Sequence, residues 1–233
     1  MGRAIDVGSA WSGSVLRLGG GLVCRVAELG ERPAQLLELY DFEACPYCRK
    51  AREALTELDL EARILPCPKG GRRFRKALQA RGGKTLFPYL VDPNADVEMY
   101  ESDDIIRHLF GRYGRGRVPL HLRMGPLTTL SSSLASVVRA TRGVRVRPSR
   151  EPDEPLELWS FEASPYCRLA REALSELELP YILHNVGKRS PSREAFVRRS
   201  GRMRVPYLAD PNTGVEMHES ADIVRYLNES YAL

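Results

Sequence analysis

The chain repeats itself, and the repeat is the strongest constraint on its fold. Leu37 to Leu60 matches Leu156 to Leu179 at 18 of 24 positions without a gap. A second block, PYLVDPNADVEMYESDDIIRHL from Pro88, matches PYLADPNTGVEMHESADIVRYL from Pro206 at 15 of 22. The offset is 119 in the first block and 118 in the second, so one residue was lost or gained between them. A duplicated unit of roughly 75 residues is too long for a solenoid repeat and suits a small domain.

Each copy reads alike. LLELYDF and LELWSF read as short apolar strands. CPYC, from Cys45, and SPYC, from Ser164, stand where the strand stops and a helix begins. Ala51, Leu55 and Leu58 carry the helical spacing that follows. EARILPC and PYILHNV are second strands, followed by the charged helical stretches RRFRKALQA and SREAFVRRS. LFPYLVD and VPYLAD lead, through a DPN turn, to VEMY and VEMH. ESDDIIRHLF and ESADIVRYLN close each unit as helices, with Ser102 and Ser220 as expected N-caps and acids in the first turn.

The boundaries expected from this pattern are an extension over 1–35, a first unit over 36–113, an arginine-rich linker over 114–155 and a second unit over 156–233. Between Ile105 and Arg150 stand ten arginines and no Asp or Glu. The net charge of +5 therefore belongs to the middle of the chain, and the remainder is about five units acidic. Within the linker, Leu127, Leu130, Leu134 and Val138 predict an amphipathic helix of about four turns between Pro126 and Gly143, packed between the units. The arginines lack interleaved aromatics, so no nucleic-acid partner is expected. SVLRLGGGLVCRV, near the N-terminus, reads as a short hairpin or strand appended to the fold.

No run of about 18 apolar residues is present, so no membrane span is expected. The N-terminus lacks the pattern of a secretory signal. Five cysteines, odd in number and irregular in spacing, do not form a disulfide framework and point to a reducing compartment. The expected location is the cytoplasm, or the plastid stroma for a plant chain.

The order βαβαββα, with CPYC at the first strand-to-helix junction, resembles the thioredoxin fold. It resembles more narrowly the glutaredoxins and the N-terminal domain of glutathione S-transferases. The tandem arrangement is similar to a family of double glutathione-transferase-N-terminal-like proteins of plants and photosynthetic microbes. The expected fold class is thus α/β, with two tandem thioredoxin-like domains joined by a helical linker. The resemblance implies that Pro88 and Pro206 match the cis-proline of that fold. It implies that Phe87, with Tyr47 close by, holds the cysteinyl part of glutathione, and that Glu101 and Ser102 hold its γ-glutamyl end. Val205, Pro206, Glu219 and Ser220 repeat that set in the second unit.

Disulfide exchange needs an attacking thiolate and a resolving neighbour. A cysteine just ahead of a helix gains from the unpaired N–H groups and the dipole. Cys45 occupies that position, with Arg49 and Lys50 adding positive charge, and Cys48 lies one turn on as resolver. A zinc half-site would need two more ligands at matching spacing, so no metal is expected. Cys67, at the end of the second strand, reads as a half-buried loop cysteine, with an accessory redox thiol as the other reading. Ser164 cannot ionise near neutral pH. Three readings stand for its site: activation of bound glutathione by the Ser164 hydroxyl, a copy kept for binding or structure, or Cys167 acting alone.

The leading expectation is a glutathione-linked thiol-disulfide oxidoreductase acting on disulfide or glutathionylated proteins, with glutathione as cosubstrate. The alternatives are a non-catalytic binding or scaffold protein, a transferase-like enzyme using Ser164, and an iron–sulfur cluster held across a dimer by Cys45 and glutathione. The proline within CPYC counts against the last. No oligomeric state is expected from the sequence.

Overall fold

The structure, a computed structural model, describes residues 20–123 and 142–233. The expected linker helix lies almost wholly outside the described residues, as does the first part of the expected N-terminal hairpin.

The first unit runs β1 (Leu37–Asp41), α1 (Pro46–Glu57), β2 (Ala62–Pro66), α2 (Phe74–Gly82), β3 (Tyr89–Asp92), β4 (Val97–Met99) and α3 (Ser102–Arg112). A short helix, α4 (Leu120–Arg123), follows. The second unit repeats the order as β5 (Leu156–Ser160), α5 (Pro165–Glu176), β6 (Tyr181–Asn185), α6 (Ser192–Ser200), β7 (Tyr207–Asp210), β8 (Val215–His218) and α7 (Ser220–Tyr231). The βαβαββα order read from the repeat is therefore present twice. Pro46 and Pro165 open their helices at the first position, where the missing N–H costs nothing.

The two units share one sheet, of order β4-β3-β1-β2-β6-β5-β7-β8. The seam is the antiparallel pair β2–β6, where Ala62 faces Leu183, Arg63 faces Ile182 and Ile64 faces Tyr181. With an offset of 119, this register maps onto itself, so an internal pseudo-two-fold passes through the Arg63–Ile182 pair. The contact is isologous, as in a symmetric dimer, but within one chain. It also removes the free edges that β2 and β6 would present alone. One apolar core runs through both units, from Leu37, Leu55 and Phe110 to Leu156, Leu174 and Leu227.

The repeat extends further than the sequence blocks. Leu22 O accepts from Lys188 N–H at 2.8 Å, and Cys24 N–H donates to Lys188 O at 2.7 Å. Val144 O accepts from Lys69 N–H at 2.6 Å, and Val146 N–H donates to Lys69 O at 3.0 Å. Lys69 and Lys188 are 119 apart, so these are matching straps, each from one unit's leading segment onto the other unit. Each begins at a glycine with positive φ, Gly21 at 71° and Gly143 at 69°. A Cβ on Gly21 would stand 2.7 Å from Cβ of Glu162, and one on Gly143 would stand 3.0 Å from Cβ of Glu43. Glycine is needed there for both backbone and space. The described part of SVLRLGGGLVCRV is thus a strap and not a hairpin.

Two local expectations change. Ser102 and Ser220 are the first helical residues, and the N-caps are Glu101 and Glu219, at φ 65° and 71° with no side-chain cap bond. Cys67 is fully buried rather than half-buried, packed with Tyr40, Leu78 and Tyr89.

Candidate functional site

The first site is built at the N-terminus of α1. Cys45 is the N-cap residue, in extended conformation, and its Sγ accepts the Cys48 N–H at 3.3 Å. Burial pushes the Cys45 thiol up. The Cys48 thiol, the N–H groups of Cys48 and Tyr47, and the Arg52 charge outweigh it, and the net shift is downward. Cys48 moves the other way: burial, the hydrogen bond to Cys45 and the charges of Cys45 and Asp41 raise it well above the ordinary thiol value. The five cysteines are all free thiols. Cys67 is raised by burial and by Asp41. Only Cys45 has the character of an attacking thiol.

The charge beside Cys45 is not the one expected. Arg49 pairs with Glu53 at 3.2 Å, and Lys50 pairs with Asp103. Arg52, seven residues beyond Cys45 and so on the same helix face, supplies the positive field. Arg52 also pairs with Asp41 and, at 3.1 Å, with Glu43. Asp41 is missed by motif reasoning, since it ends a strand. Burial lifts its carboxyl to about 6, against the pull of Arg52, and its charge is one of the causes that raise the Cys48 thiol.

The second site keeps the geometry without the thiol. Ser164 is the N-cap of α5, and its Oγ accepts the Cys167 N–H at 3.2 Å. Cys167 is fully buried and its thiol is raised by burial. Asp41 has no acidic counterpart, because Ser160 stands there and accepts from Arg171 at 3.1 Å. The second unit therefore lacks both the N-cap thiol and the acid at the end of its first strand.

The segments expected to bind glutathione converge in the first unit. Phe87–Pro88 and Val205–Pro206 are both cis. The Phe42 ring, in the loop before Cys45, meets the Phe87 ring edge-on at 5.8 Å. Lys50 on α1 pairs with Asp103, next to Glu101 and Ser102, and so ties the start of α1 to the start of α3. Tyr47 and Tyr166 are about half exposed at the mouths of their sites. The units differ before the cis-prolines: Arg204 pairs with Glu219 at 2.7 Å, whereas the first unit has the exposed Leu86 at the position matching Arg204.

The Lys50–Asp103 tie has Leu169 and Ala221 as its counterparts. Lys50 is fully buried, so Asp103→Ala strands a charge. That variant should lose about 1–3 kcal/mol in urea unfolding. The double change Lys50→Leu/Asp103→Ala, which copies the second unit, should recover most of the loss.

Each pre-helix loop is pinned by the opposite unit. Glu43 N–H donates to Ser175 Oγ at 3.3 Å, and Glu162 N–H donates to Thr56 Oγ1 at 3.3 Å. The Glu43 carboxylate accepts from Arg171 at 2.9 Å and the Glu162 carboxylate from Arg52 at 2.9 Å. Cys45 is thus held by a loop whose far side belongs to the second unit.

Comparison with known proteins bears on the family of the two units. The family described as "Glutathione S-transferase, N-terminal domain" matches residues 39–117 and again 158–233. No curated protein matches the chain. A solved structure, a trimeric glutathione transferase of Leishmania named TDR1, is 15% identical, with 82% of this chain and 68% of that chain covered and a TM-score of 0.29. At that score the likeness carries no argument. Among the described residues, no helix is long and apolar enough to cross a membrane.

Proposed function

The chain belongs to the glutathione S-transferase N-terminal domain family, with two copies of that domain, and on that premise we propose that it is a glutathione-linked thiol-disulfide oxidoreductase whose first unit carries the redox chemistry. The observation that supports this is the opposed pair at the start of α1: a Cys45 thiol lowered by its hydrogen bonds and Arg52, and a Cys48 thiol raised by burial.

The Cys45 thiolate attacks the glutathione sulfur of a glutathionylated protein. The sulfur–sulfur bond breaks and the protein thiolate leaves, taking up a proton. Cys48, once deprotonated, attacks Sγ of Cys45 and releases glutathione thiolate, leaving a Cys45–Cys48 disulfide. Two glutathione molecules return that disulfide to the dithiol and leave as glutathione disulfide. Asp41 is the buried acid available to exchange the Cys48 proton. Tyr47, Phe87, Pro88, Glu101 and Ser102 hold the glutathione.

The second unit has a structural reason to persist, since Ser175, Arg171 and Glu162 hold the loop and helix that present Cys45. Its own Ser164, Val205, Pro206, Glu219 and Ser220 bind the same ligand without forming a disulfide with it.

A binding or scaffold role is the second reading. It is favoured by the cover over the sites, since Cys45 is 4% exposed and Ser164 5%. Alkylation of reduced protein across pH decides between the two. The expected result is a Cys45 rate whose midpoint lies below the ordinary thiol value of about 8.5, together with reduction of a glutathione mixed disulfide. A Cys45 that titrates as an ordinary thiol, in protein that reduces no mixed disulfide, overturns the redox reading and leaves the scaffold.

A further inference from the structure

The arginine-rich middle of the chain takes no part in the redox chemistry, and the internal symmetry shows that packing does not account for its charge. The strap from Gly143 runs beside the loop that follows β2, with Lys69 bridged to Arg145. Between loop and strap lies a cavity of about 520 Å³. Arg72 and Arg73 line it from the loop, Arg147 from the strap, with Glu178 and the apolar Val146 and Pro148. That is three arginines to one carboxylate. At the other strap the residues matching Arg72, Arg73, Arg147 and Glu178 are Pro191, Ser192, Arg25 and Asp59, one arginine to one carboxylate. Arg145, likewise, stands where the first strap has Val23. The fold thus builds the same strap without these cations.

The carboxylates at hand are in use. Glu178 accepts the N–H groups of Arg72 at 3.1 Å and Arg73 at 3.3 Å. Glu176 accepts the Gly143 N–H at 2.9 Å and pairs with Arg147 at 3.4 Å. Lys69, Arg72 and Arg145 are exposed, and among the described residues their side chains have no ion pair or hydrogen bond. The surface starts at the redox loop. Ser175 Oγ accepts the Glu43 N–H and donates to the Gly143 carbonyl, both at 3.3 Å. Glu43 lies two residues before Cys45. Cys67 N–H, two residues ahead of Lys69, donates to the Asp41 carbonyl at 2.5 Å. Both arms of the basic surface therefore lead away from the loop that carries Cys45.

We infer that this surface docks an acidic polypeptide segment. Arginine forks pair with carboxylates through two parallel bonds. Val146 and Pro148 suit an apolar side chain between the acids. No aromatic residue stands in KGGRR or GVRVRPSR, as stacking of a single-stranded nucleic acid requires. On the redox reading, on which this choice of substrate rests, the segment belongs to the glutathionylated protein and brings its mixed disulfide to Cys45.

The test uses the full chain and a short fluorescent peptide of alternating glutamate and alanine, with glutamine for glutamate in its uncharged match, followed by anisotropy at low salt. The acidic peptide should bind, its match should not, and salt should weaken the binding. Arg72→Ala/Arg145→Ala should cost about fivefold in affinity, the worth of two exposed pairs. Lys188→Ala/Arg189→Ala removes the same charge beside the other strap and should cost less than about twofold. All four side chains are exposed, so neither variant disturbs the core. Equal losses in the two variants would mean a general attraction to a basic protein and overturn the inference. Equal binding of both peptides, tighter binding of a uridine oligomer of equal charge, or no binding at millimolar peptide would do the same. The redox reading is scored separately, on the mixed disulfide of glutathione and mercaptoethanol, which has no segment to dock. Both variants should reduce it at the unaltered rate. A protein that reduces it but binds both peptides alike loses only the docking surface. One that binds the acidic peptide through Arg72 and Arg145 but reduces no mixed disulfide keeps the surface and loses the redox reading.

Discussion

Cys45→Ser should abolish reduction of glutathione mixed disulfides, by about a thousandfold or more, as removal of a nucleophile does. The same change should remove the thiol of lowered pKa from the alkylation profile. It should leave unfolding by urea nearly unchanged, because Ser164 already shows that an oxygen at this N-cap accepts the same N–H, at 3.2 Å against 3.3 Å for sulfur. Cys48→Ser separates the steps. The Cys45–glutathione mixed disulfide should then accumulate, visible by mass, because the resolver is gone. The converse change, Ser164→Cys, restores CPYC in the second unit beside Arg171, the counterpart of Arg52. It should create a second pair able to oxidise, but one without an acid at the Asp41 position. Assayed with Cys45→Ser in the background, Ser164→Cys should recover only part of the activity. Full recovery would show that Asp41 does nothing for the resolving thiol. Retained turnover in Cys45→Ser alone would move the nucleophile elsewhere.

The repeated strand–helix order was legible because it depends on local signals: short apolar strands, a proline opening the first helix of each unit, and turns between. The paired CPYC and SPYC N-caps were legible for the same reason. The seam was not. EARILP and PYILHN each read as a strand, and nothing in one strand's pattern names its neighbour when that neighbour lies 119 residues away. The straps escaped because they match at little more than a glycine and an arginine: Gly21 and Arg25 in one, Gly143 and Arg147 in the other. The Ser102 and Ser220 caps were misplaced because a glutamate with positive φ at the N-cap carries no sequence signal. Arg52 and Glu43 were on view inside the conserved block of the repeat, yet they read as features of one unit. Their partners lie in the other copy, which only the seam reveals.

Glu162→Gln should destabilise the whole chain by about 3–5 kcal/mol, the cost of breaking a buried ion pair from one side. For a chain of this size that is a fall in Tm of about 6–20 °C. The reason is the reciprocal set at the seam. Glu162 accepts from Arg52 at 2.9 Å and pairs with Arg171 at 3.1 Å, while Glu43 pairs with Arg171 at 2.9 Å and with Arg52 at 3.1 Å. All four side chains are about 3% exposed or less. Neutralising Glu162 leaves Arg171 sharing Glu43 with Arg52, which keeps Asp41 as well, in a place that little water reaches. By the internal symmetry, Glu43→Gln should cost a similar amount. The pH dependence tests the cause. Burial pushes Glu162 up, but Arg171, Arg52 and Arg49 prevail and hold it at about 2, below its ordinary 4.5. A depressed carboxyl contributes stability that is fully present above the unfolded value and lost as pH falls through the folded one. The gap in Tm between the unaltered chain and Glu162→Gln should therefore be widest near neutral pH and shrink between pH 4.5 and about 2. Asp41 works in the opposite sense. Its carboxyl is raised from 3.8 to about 6, so its ionisation costs stability as pH rises through that window. The Glu162 charge is one of the causes that raise Asp41, so this effect is smaller in Glu162→Gln. Below the ordinary 3.8 Asp41 is protonated in both proteins, and the shrinkage from there to about 2 reports Glu162. A gap that stays constant through acid would mean that the glutamine disturbs packing rather than charge. A gap below about 1 kcal/mol at neutral pH, the range of exposed pairs, would mean that the β2–β6 pairing and the shared core hold the units together without the ion set.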